Sequence, residues 1–416
     1  MDVIVDRCAA LDVHKDTVMA CVRKPAPSGS RRVKEVREFR TWTSSLRDLR
    51  EWLADEGVTQ VAMEATGSYW KPVWHVLVEL DGVELLLCNA HHVKNLPGRK
   101  TDVSDSVWLC QLLECGLLRG SFVPPTEIAQ LRDLTRYRTK LVQDRARETQ
   151  RVQKVLEDAN IKLDSVASDV MGKSARKMLD ALIAGERDVD VMADMAMSRM
   201  RPKIGDLRLA LEGRFDEHHA LMLTMHLAHI DHLSTQIDEI DAEVEHRLVP
   251  FVDHARRLRT VPGIGQRTAE VVISEIGVDM SRFPTAAHLA SWAGLCPGNH
   301  ESAGKRRSGK ARKGNAALRT ALCEAAWSAA RTKDTYLQAQ FRRFCRRFGK
   351  KGESKAIFAV AHTLIVIIWH VLHDEVDYQE LGADWFERRA DTEAHARRLV
   401  RQLEHLGHKV TIEPAA

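Results

Sequence analysis

The stretch Cys8-Ala9-Ala10-Leu11-Asp12-Val13 is an apolar run broken only by one carboxylate near its end. A short run of this kind reads as a buried strand, and an acid at the end of a buried strand is unusual. Working outward, Thr17 to Val22 reads as a second strand and Arg32 to Phe39 as a third, polar on one face. Ser44 to Glu56 follows as an amphipathic helix with Leu46, Leu49, Trp52 and Leu53 inward. Val58 to Met63 is a strand ending at Glu64, and after a turn come a helix near Trp70 to Leu80 and a strand from Val83 to Cys88. Strands alternating with helices define an α/β sheet domain.

In such sheets, sites form outside the carboxyl ends of the strands. Asp12 and Glu64 both fall there. Arg99-Lys100-Thr101-Asp102-Val103-Ser104-Asp105 precedes an apolar helical pattern (Val107, Leu109, Leu112, Leu113). Thr101 suits the N-cap, which puts Asp102 and Asp105 on one face of the first turn. Acids are favoured in a first turn by the helix dipole alone. Converging with Asp12 and Glu64, however, they make a set of hard oxygen donors suited to Mg²⁺ or Mn²⁺, which would orient and neutralise a phosphodiester.

The bulk properties set limits. The chain has 416 residues, room for two or three domains, and a net charge of only +4. Its eight cysteines include no C-x-x-C pair, which argues against a zinc ribbon or dithiol redox motif. The N-terminus lacks a signal-peptide pattern, and the apolar run Ala356 to Leu372 carries His362 and His370 and is short for a membrane span, so it reads as a buried helix. The expectation is a reduced, cytoplasmic protein with no membrane partner.

Pro124-Pro125 opens a helical segment. From Ile128 to about Leu156 the pattern is helical and cation-rich, including Arg132, Arg136, Arg138, Lys140, Arg145, Arg147, Arg151 and Lys154. Of these Arg136, Lys140, Arg147 and Arg151 are candidates for phosphate contact, with a solvated charged face as the plain alternative. Residues 165–215 are helical but weakly patterned. Leu223, His226, Ile230, Leu233, Ile237, Ile240 and Val244 form a heptad seam for packing or dimerisation. The nearby histidines, His218, His219, His226, His229 and His232, come without thiolates or a dense ligand set and read as solvent or seam positions.

Val261-Pro262-Gly263-Ile264-Gly265 before a helix to Ile276 is similar to a helix-hairpin-helix turn, in which Gly263 and Gly265 let backbone N–H groups approach a phosphate. Phe283 to Ala293 reads as a helix closing on Gly294. The segment from Asn299 to Asn315 then holds Lys305, Arg306, Arg307, Lys310, Arg312 and Lys313, with no acid between Lys305 and Lys313. Basic and glycine-rich, it reads as a loop flexible enough to wrap a phosphate backbone. Trp385 to Leu406 reads as a charged amphipathic tail helix.

Three blocks, Leu11-Asp12-Val13-His14-Lys15, Met63 to Trp70 with Glu64, and Lys100 to Asp105, resemble in order and spacing the acidic blocks of IS110-type transposases. Gly294-Leu295-Cys296-Pro297, a following serine, and Lys313-Gly314-Asn315 with Leu318-Arg319 resemble that family's C-terminal transposase domain. The resemblance implies a RuvC/RNase H-like N-terminal domain (1–125) in which Asp12, Glu64, Asp102 and Asp105 bind Mg²⁺ or Mn²⁺. A helical coiled-coil region (126–250) and a mostly α-helical C-terminal domain (251–416) would follow. It further implies a DNA recombinase that attacks with a serine through a covalent phosphoserine, acts on donor and target DNA, and is guided by a structured noncoding RNA from its element. Ser302, five residues after Pro297, matches the nucleophile position. The family's usual Ser-Gly is Ser302-Ala303-Gly304 here, one residue longer, which leaves Ser308-Gly309 as an alternative. Carboxylates in one half and cations in the other, with a heptad seam between, lead to the expectation of a homo-oligomer, dimer or tetramer, whose active site is shared across protomers. The rival reading is a RuvC-type nuclease or junction resolvase using the same acids with water as nucleophile; an idle nucleic-acid-binding protein would leave the four acids unexplained.

Overall fold

The computed structural model describes residues 3–27, 31–65, 67–89, 93, 105–298, 300–302, 304–311, 313–349, 352–388 and 392–411, with the backbone alone at 300–302, 306–308, 392–395 and 398. The chain falls into two compact units, Met1–Val123 and Pro124–Ala416.

The first unit is a mixed five-stranded sheet. Its strands are β1 (Cys8–Val13), β2 (Thr17–Pro25), β3 (Arg32–Arg40), β4 (Gln60–Glu64) and β5 (Glu84–Cys88), in the order β3-β2-β1-β4-β5. The pairs β1/β2 and β2/β3 are antiparallel, whereas β1/β4 and β4/β5 are parallel. Helices α1 (Thr43–Asp55) and α2 (Trp70–Leu77) supply the crossovers that parallel pairing requires, and α3 (Asp105–Glu114) follows β5.

Alternation along the strands decides which helix meets which side chain. Ala9, Leu11 and Val13 share a core with Leu46, Leu49, Trp52 and Leu53 of α1, with Val73 and Leu77 of α2, and with Val61 and Met63 of β4. Cys8, Ala10, Ala62 and Cys88 face the other way, against Val107, Leu109, Cys110, Leu112 and Leu113 of α3. This is the RuvC-like arrangement the acidic blocks imply. The central strands β1 and β4 match the sequence reading because they are apolar and buried on both faces, whereas β3 at the edge buries none of its residues.

The second unit is helical. The long helices α4 (Thr126–Asp158) and α9 (Glu217–Leu248) lie antiparallel, with Leu141 against Leu233 and Ile237 near the middle. Arg138 binds Asp241 towards one end of the pair and His219 meets Asp158 at the other. The heptad seam is therefore occupied within the chain by α4. Between these two helices, α5 (Leu163–Val166), α6 (Lys173–Ile183), α7 (Val189–Asp194) and α8 (Ile204–Leu211) form a cap. Met178, Leu179, Leu182, Met192 and Leu207 of this cap pack on Val152 and Leu156 of α4 and on Leu223, Leu227 and Ile230 of α9.

The remainder comprises α10 (Val252–Leu258), α11 (Gln266–Ile276), α12 (Ala286–Ala293), the hairpin β6 (His300–Ser302) and β7 (Lys305–Ser308), α13 (Ala316–Arg331), α14 (Tyr336–Phe348), α15 (Glu353–His373), α16 (Trp385–Arg388) and α17 (Thr392–His405). Of the described helices only α15 is long and apolar enough to cross a membrane by length and composition. It packs against α13, α14, α12 and α10, and buries Ile357, Val360, Leu364, Ile365 and Ile368. The Trp369 indole N–H donates to the Phe283 carbonyl at 2.8 Å. These contacts fit the expected buried helix.

Gly263 sits at the turn between α10 and α11 with φ 89°, and an added Cβ would lie 2.3 Å from the Ala325 carbonyl oxygen and 2.7 Å from the Ala329 nitrogen of α13. Close helix packing thus requires glycine at this position. At Gly265, the residue preceding α11, a Cβ would meet nothing within 4 Å. Gly263→Ala is expected to lower stability by about 2 kcal/mol or more, and Gly265→Ala, at an N-cap where alanine is only disfavoured, by about 0.5–1 kcal/mol. Equal thermal denaturation midpoints for the two variants would contradict this packing.

Candidate active site

The β1/β4 register pairs Leu11 with Met63, so the next residues, Asp12 and Glu64, are neighbours on adjacent parallel strands. Both belong to the face that carries Cys8, Ala10 and Ala62, the face covered by α3. Strand spacing sets their backbones about 5 Å apart. Asp12 is partly exposed, with its carboxylate 3.3 Å from the His14 imidazole.

Helix α3 brings Asp105 to this end of the sheet. Its last residue, Glu114, accepts at its carbonyl from the N–H groups of Ile4 and Val5, ahead of β1. Midway, the Cys110 sulfur lies 3.7 Å from that of Cys8. The helix therefore runs antiparallel to β1, and its first residue lies towards the strand end that holds Asp12. The C-terminal end of α3 is fastened by the buried Glu114 carboxylate, which accepts from Arg23 (2.9 Å) and Arg32 (2.6 Å) of β2 and β3. Thr101 and Asp102 lie outside the described residues. Among the described residues, no group of three or more His, Cys, Asp or Glu side chains gathers closely enough to hold a metal ion. The structure makes Asp12 and Glu64 neighbours and places Asp105, the first residue of α3, towards the same end of the sheet.

Cys88, paired with Glu64 in the β4/β5 ladder, reports on the local field. Burial pushes its thiol up to about 11, and the neighbouring Glu64 charge adds to the shift. Two carboxylates side by side repel, and a cation between them relieves that repulsion.

The basic segment of the second unit is less free than a wrapping loop. Residues 300–302 and 305–308 form a two-stranded hairpin in which Ser302 pairs with Lys305 and His300 pairs with Ser308. Gly304 has φ 72°. Ser302 is thus at the hairpin tip and Ser308 at its base. Lys305, Lys310 and Lys313 are exposed, Arg306 and Arg307 lie on β7, and Arg312 is outside the described residues. The base is closely packed. A Cβ on Gly298 would meet the Lys310 carbonyl at 2.1 Å, and one on Gly314 would meet the Gly294 nitrogen at 2.3 Å.

A buried carboxylate anchors the segment's far end. Glu275 of α11 is fully buried. It accepts from Nε and Nη2 of Arg136 at 2.6 and 2.8 Å, and from the Asn315 amide at 2.6 Å. Arg132 lies 3.3 Å away and donates to the Ser274 and Glu275 carbonyls. Asn315 also caps α13 by accepting from the Leu318 N–H. Sequence reasoning missed Glu275 and the second role of Asn315. The available signal was a carboxylate at a buried helical position among Val272, Ile273 and Ile276.

The cations of α4 divide accordingly. Arg132 and Arg136 hold Glu275, and Arg138 holds Asp241. Arg147 and Arg151 pair with Asp144 and Glu148 but stay more than half exposed, where ion pairs contribute little. Lys140 and Lys154 are exposed, with no ion pair among the described residues. His226 and His229 both approach the buried Glu148, and His219 completes a capping box with Asp216.

A RuvC-type sheet with acids at its strand ends, joined in one chain to a basic helical unit, is the layout of the DEDD transposases. Residues 9–161 match a DEDD transposase profile of IS110 elements, and residues 255–342 match the profile of the transposase IS116/IS110/IS902 family. The chain belongs to the IS110 family of transposases. Among its relatives, the pilin gene-inverting protein of Moraxella bovis is 33% identical over 150 residues, 34% of this chain and 45% of that protein. The transposase for insertion sequence element IS1111A of Coxiella burnetii is 29% identical over 135 residues, 30% and 35% of the two chains. An insertion element IS110 protein of Streptomyces coelicolor is 35% identical over 127 residues, 29% of each. These alignments span less than half the length of each of the three relatives.

Two outcomes follow from this geometry. Glu64→Gln removes a charge beside Cys88 and lowers that thiol's pKa from about 11, read as the difference in thiolate absorbance between matched proteins with and without Cys88→Ser. An unchanged titration would separate the two side chains. Asn315→Ser keeps a good N-cap but loses the amide to Glu275. Trypsin is expected to cut among Lys305 to Lys313 several-fold faster, with the cap's contribution of about 1 kcal/mol retained; an unaltered cleavage rate would exclude Asn315 as the anchor.

Proposed function

We propose that this chain is the recombinase of a mobile element, cutting and rejoining DNA strands. The observation that carries the reading is the adjacency of Asp12 and Glu64, each one residue beyond the paired Leu11 and Met63 of parallel strands, on the sheet face covered by the helix that begins at Asp105. Asp12, Glu64, Asp102 and Asp105 would hold Mg²⁺ or Mn²⁺. When bound there, a divalent cation supplies charge neutralisation on the phosphodiester. The printed names of relatives, a gene-inverting protein and a transposase, support DNA as the substrate.

Ser302 is the proposed nucleophile. Its place at a hairpin tip beside Lys305 supports this over Ser308 at the base. The hydroxyl oxygen bonds to phosphorus as its proton leaves, the bond from phosphorus to one deoxyribose oxygen breaks, and that oxygen takes a proton to become a free strand end. A hydroxyl of the exchanging strand then attacks the phosphoserine and returns the serine, so strands are exchanged without net hydrolysis. Lys305, Arg306, Arg307, Lys310, Arg312 and Lys313 balance phosphate charge, since a serine hydroxyl is a weak nucleophile and its target needs cations. The exposed face of α4 with Lys140, Arg147 and Arg151, together with the N-terminus of α11 behind Gly265, is proposed to contact nucleic-acid backbone, including a guide RNA. Arg136 is assigned to Glu275 instead. The acids come from one unit and the serine from the other, and we assign them to a site shared between protomers of an oligomer.

With element-end DNA, the wild-type protein is expected to form a covalent protein–DNA adduct that survives denaturation. Ser302→Ala abolishes the adduct, Ser308→Ala retains it, and Asp12→Asn or Glu64→Gln lowers strand cleavage at least about 100-fold. Cleavage without any adduct would instead identify a water-using nuclease of the RuvC type. Mixing Asp12→Asn with Ser302→Ala protein is expected to restore part of the activity; no recovery at any ratio would place each site within one protomer.

A further inference from the structure

The rim of the sheet that holds Asp12 also carries an exposed tryptophan. Trp42, the residue preceding α1, is 72% exposed, whereas Trp52 within that helix is buried. Tryptophan has a large apolar surface and is usually well covered. Its surroundings are polar: Thr41, Thr43 and Ser44 flank it, and Thr43 and Ser44 are exposed. A lone ring in a polar setting does not make the apolar centre of a protein interface.

The strand pairings fix where this ring lies. Arg40 at the end of β3 pairs with Thr17 at the start of β2, and Val18 pairs with Val13 at the end of β1. The carboxyl ends of β1 and β3 therefore share one rim, two strand spacings or about 10 Å apart. Direct contacts join them. The Thr41 N–H donates to the Asp16 carbonyl at 3.2 Å, and its hydroxyl donates to the Lys15 carbonyl at 2.9 Å. His14, in the same turn, reaches Asp12. Lys15 and Arg40 are exposed along this path and make no ion pair among the described residues; Asp16 is the exposed acid there.

A flat exposed ring beside available cations is what an unpaired nucleic-acid strand recognises. Bases stack on the aromatic face, and cations follow the backbone phosphates. We propose that Trp42 is a stacking platform for a base of an unpaired DNA strand at the carboxylate rim, with Lys15 and Arg40 contacting its phosphates. The proposal rests on the reading of Asp12 and Glu64 as a DNA-processing site.

The test irradiates the full chain with a bromodeoxyuridine-substituted single-stranded oligonucleotide and maps the adducts by mass spectrometry. An adduct on the tryptic peptide 41–47, at Trp42, is expected. Trp42→Ala should lose it and weaken single-strand affinity roughly tenfold, and Trp42→Phe should keep most of the affinity. Undiminished affinity in Trp42→Ala, with adducts only elsewhere, overturns the platform. Preferential crosslinking of an RNA of the same sequence overturns the assignment to DNA. A Trp42 adduct combined with full strand cleavage by Asp12→Asn would leave the platform standing and sink the carboxylate reading, so the two fail separately.

Discussion

The parallel pairing of β1 with β4 is the constraint on which the carboxylate site depends. Leu11 and Met63 are paired and buried in one core, and Ala10 and Ala62 in the other. Because side chains alternate, a slip of one residue would drive Asp12 or Glu64 into the layer of α1 and α2 and force Leu11 or Met63 into the alanine-lined layer under α3. Hydrophobic burial on both faces thus fixes the chemistry at the strand ends. The apolar parity of the strands sets two like charges side by side.

In the second unit the corresponding role falls to charge. Glu275 is removed from water and surrounded by Arg136, Arg132 and the Asn315 amide. Desolvating a carboxylate is expensive, and such a group persists only when its partners are complete. The network joins the start of α4, the end of α11 and the cap of α13, so these three helices keep one arrangement. Residues 126–250 and 251–416, separable by their sequence patterns, belong to one unit for this reason. The α4–α9 pair follows a similar logic, with apolar contacts at Leu141, Leu233 and Ile237 and ionic partners at Glu148 and Asp241.

What was legible in the sequence follows from this difference. The central strands were readable because burial on both faces leaves short apolar runs in the residues themselves, and Asp12 and Glu64 stood out as carboxylates at their ends. The heptad seam of α9 was equally plain, but periodicity shows that a face is covered without showing by what. Its partner is α4 of the same chain. The basic segment read as a flexible loop because composition carries no information on strand pairing or on the close backbone contacts at Gly298 and Gly314. The cations of α4 looked alike in sequence. Only long-range contacts separate Arg132 and Arg136, committed to Glu275, from the exposed Lys140. Asp102 and Arg312 lie outside the described residues.

The hairpin has its precision at the base and its latitude at the tip. Gly298 and Gly314 admit no side chain, and Asn315 is held from two sides, whereas Gly304 has open space around it. The tip at Gly304 therefore leaves room for a side chain that the base at Gly298 and Gly314 does not. The segment behaves as a replaceable fingertip on a fixed knuckle. A substitution at the tip is free of close backbone contacts, while the packed base beneath is left undisturbed.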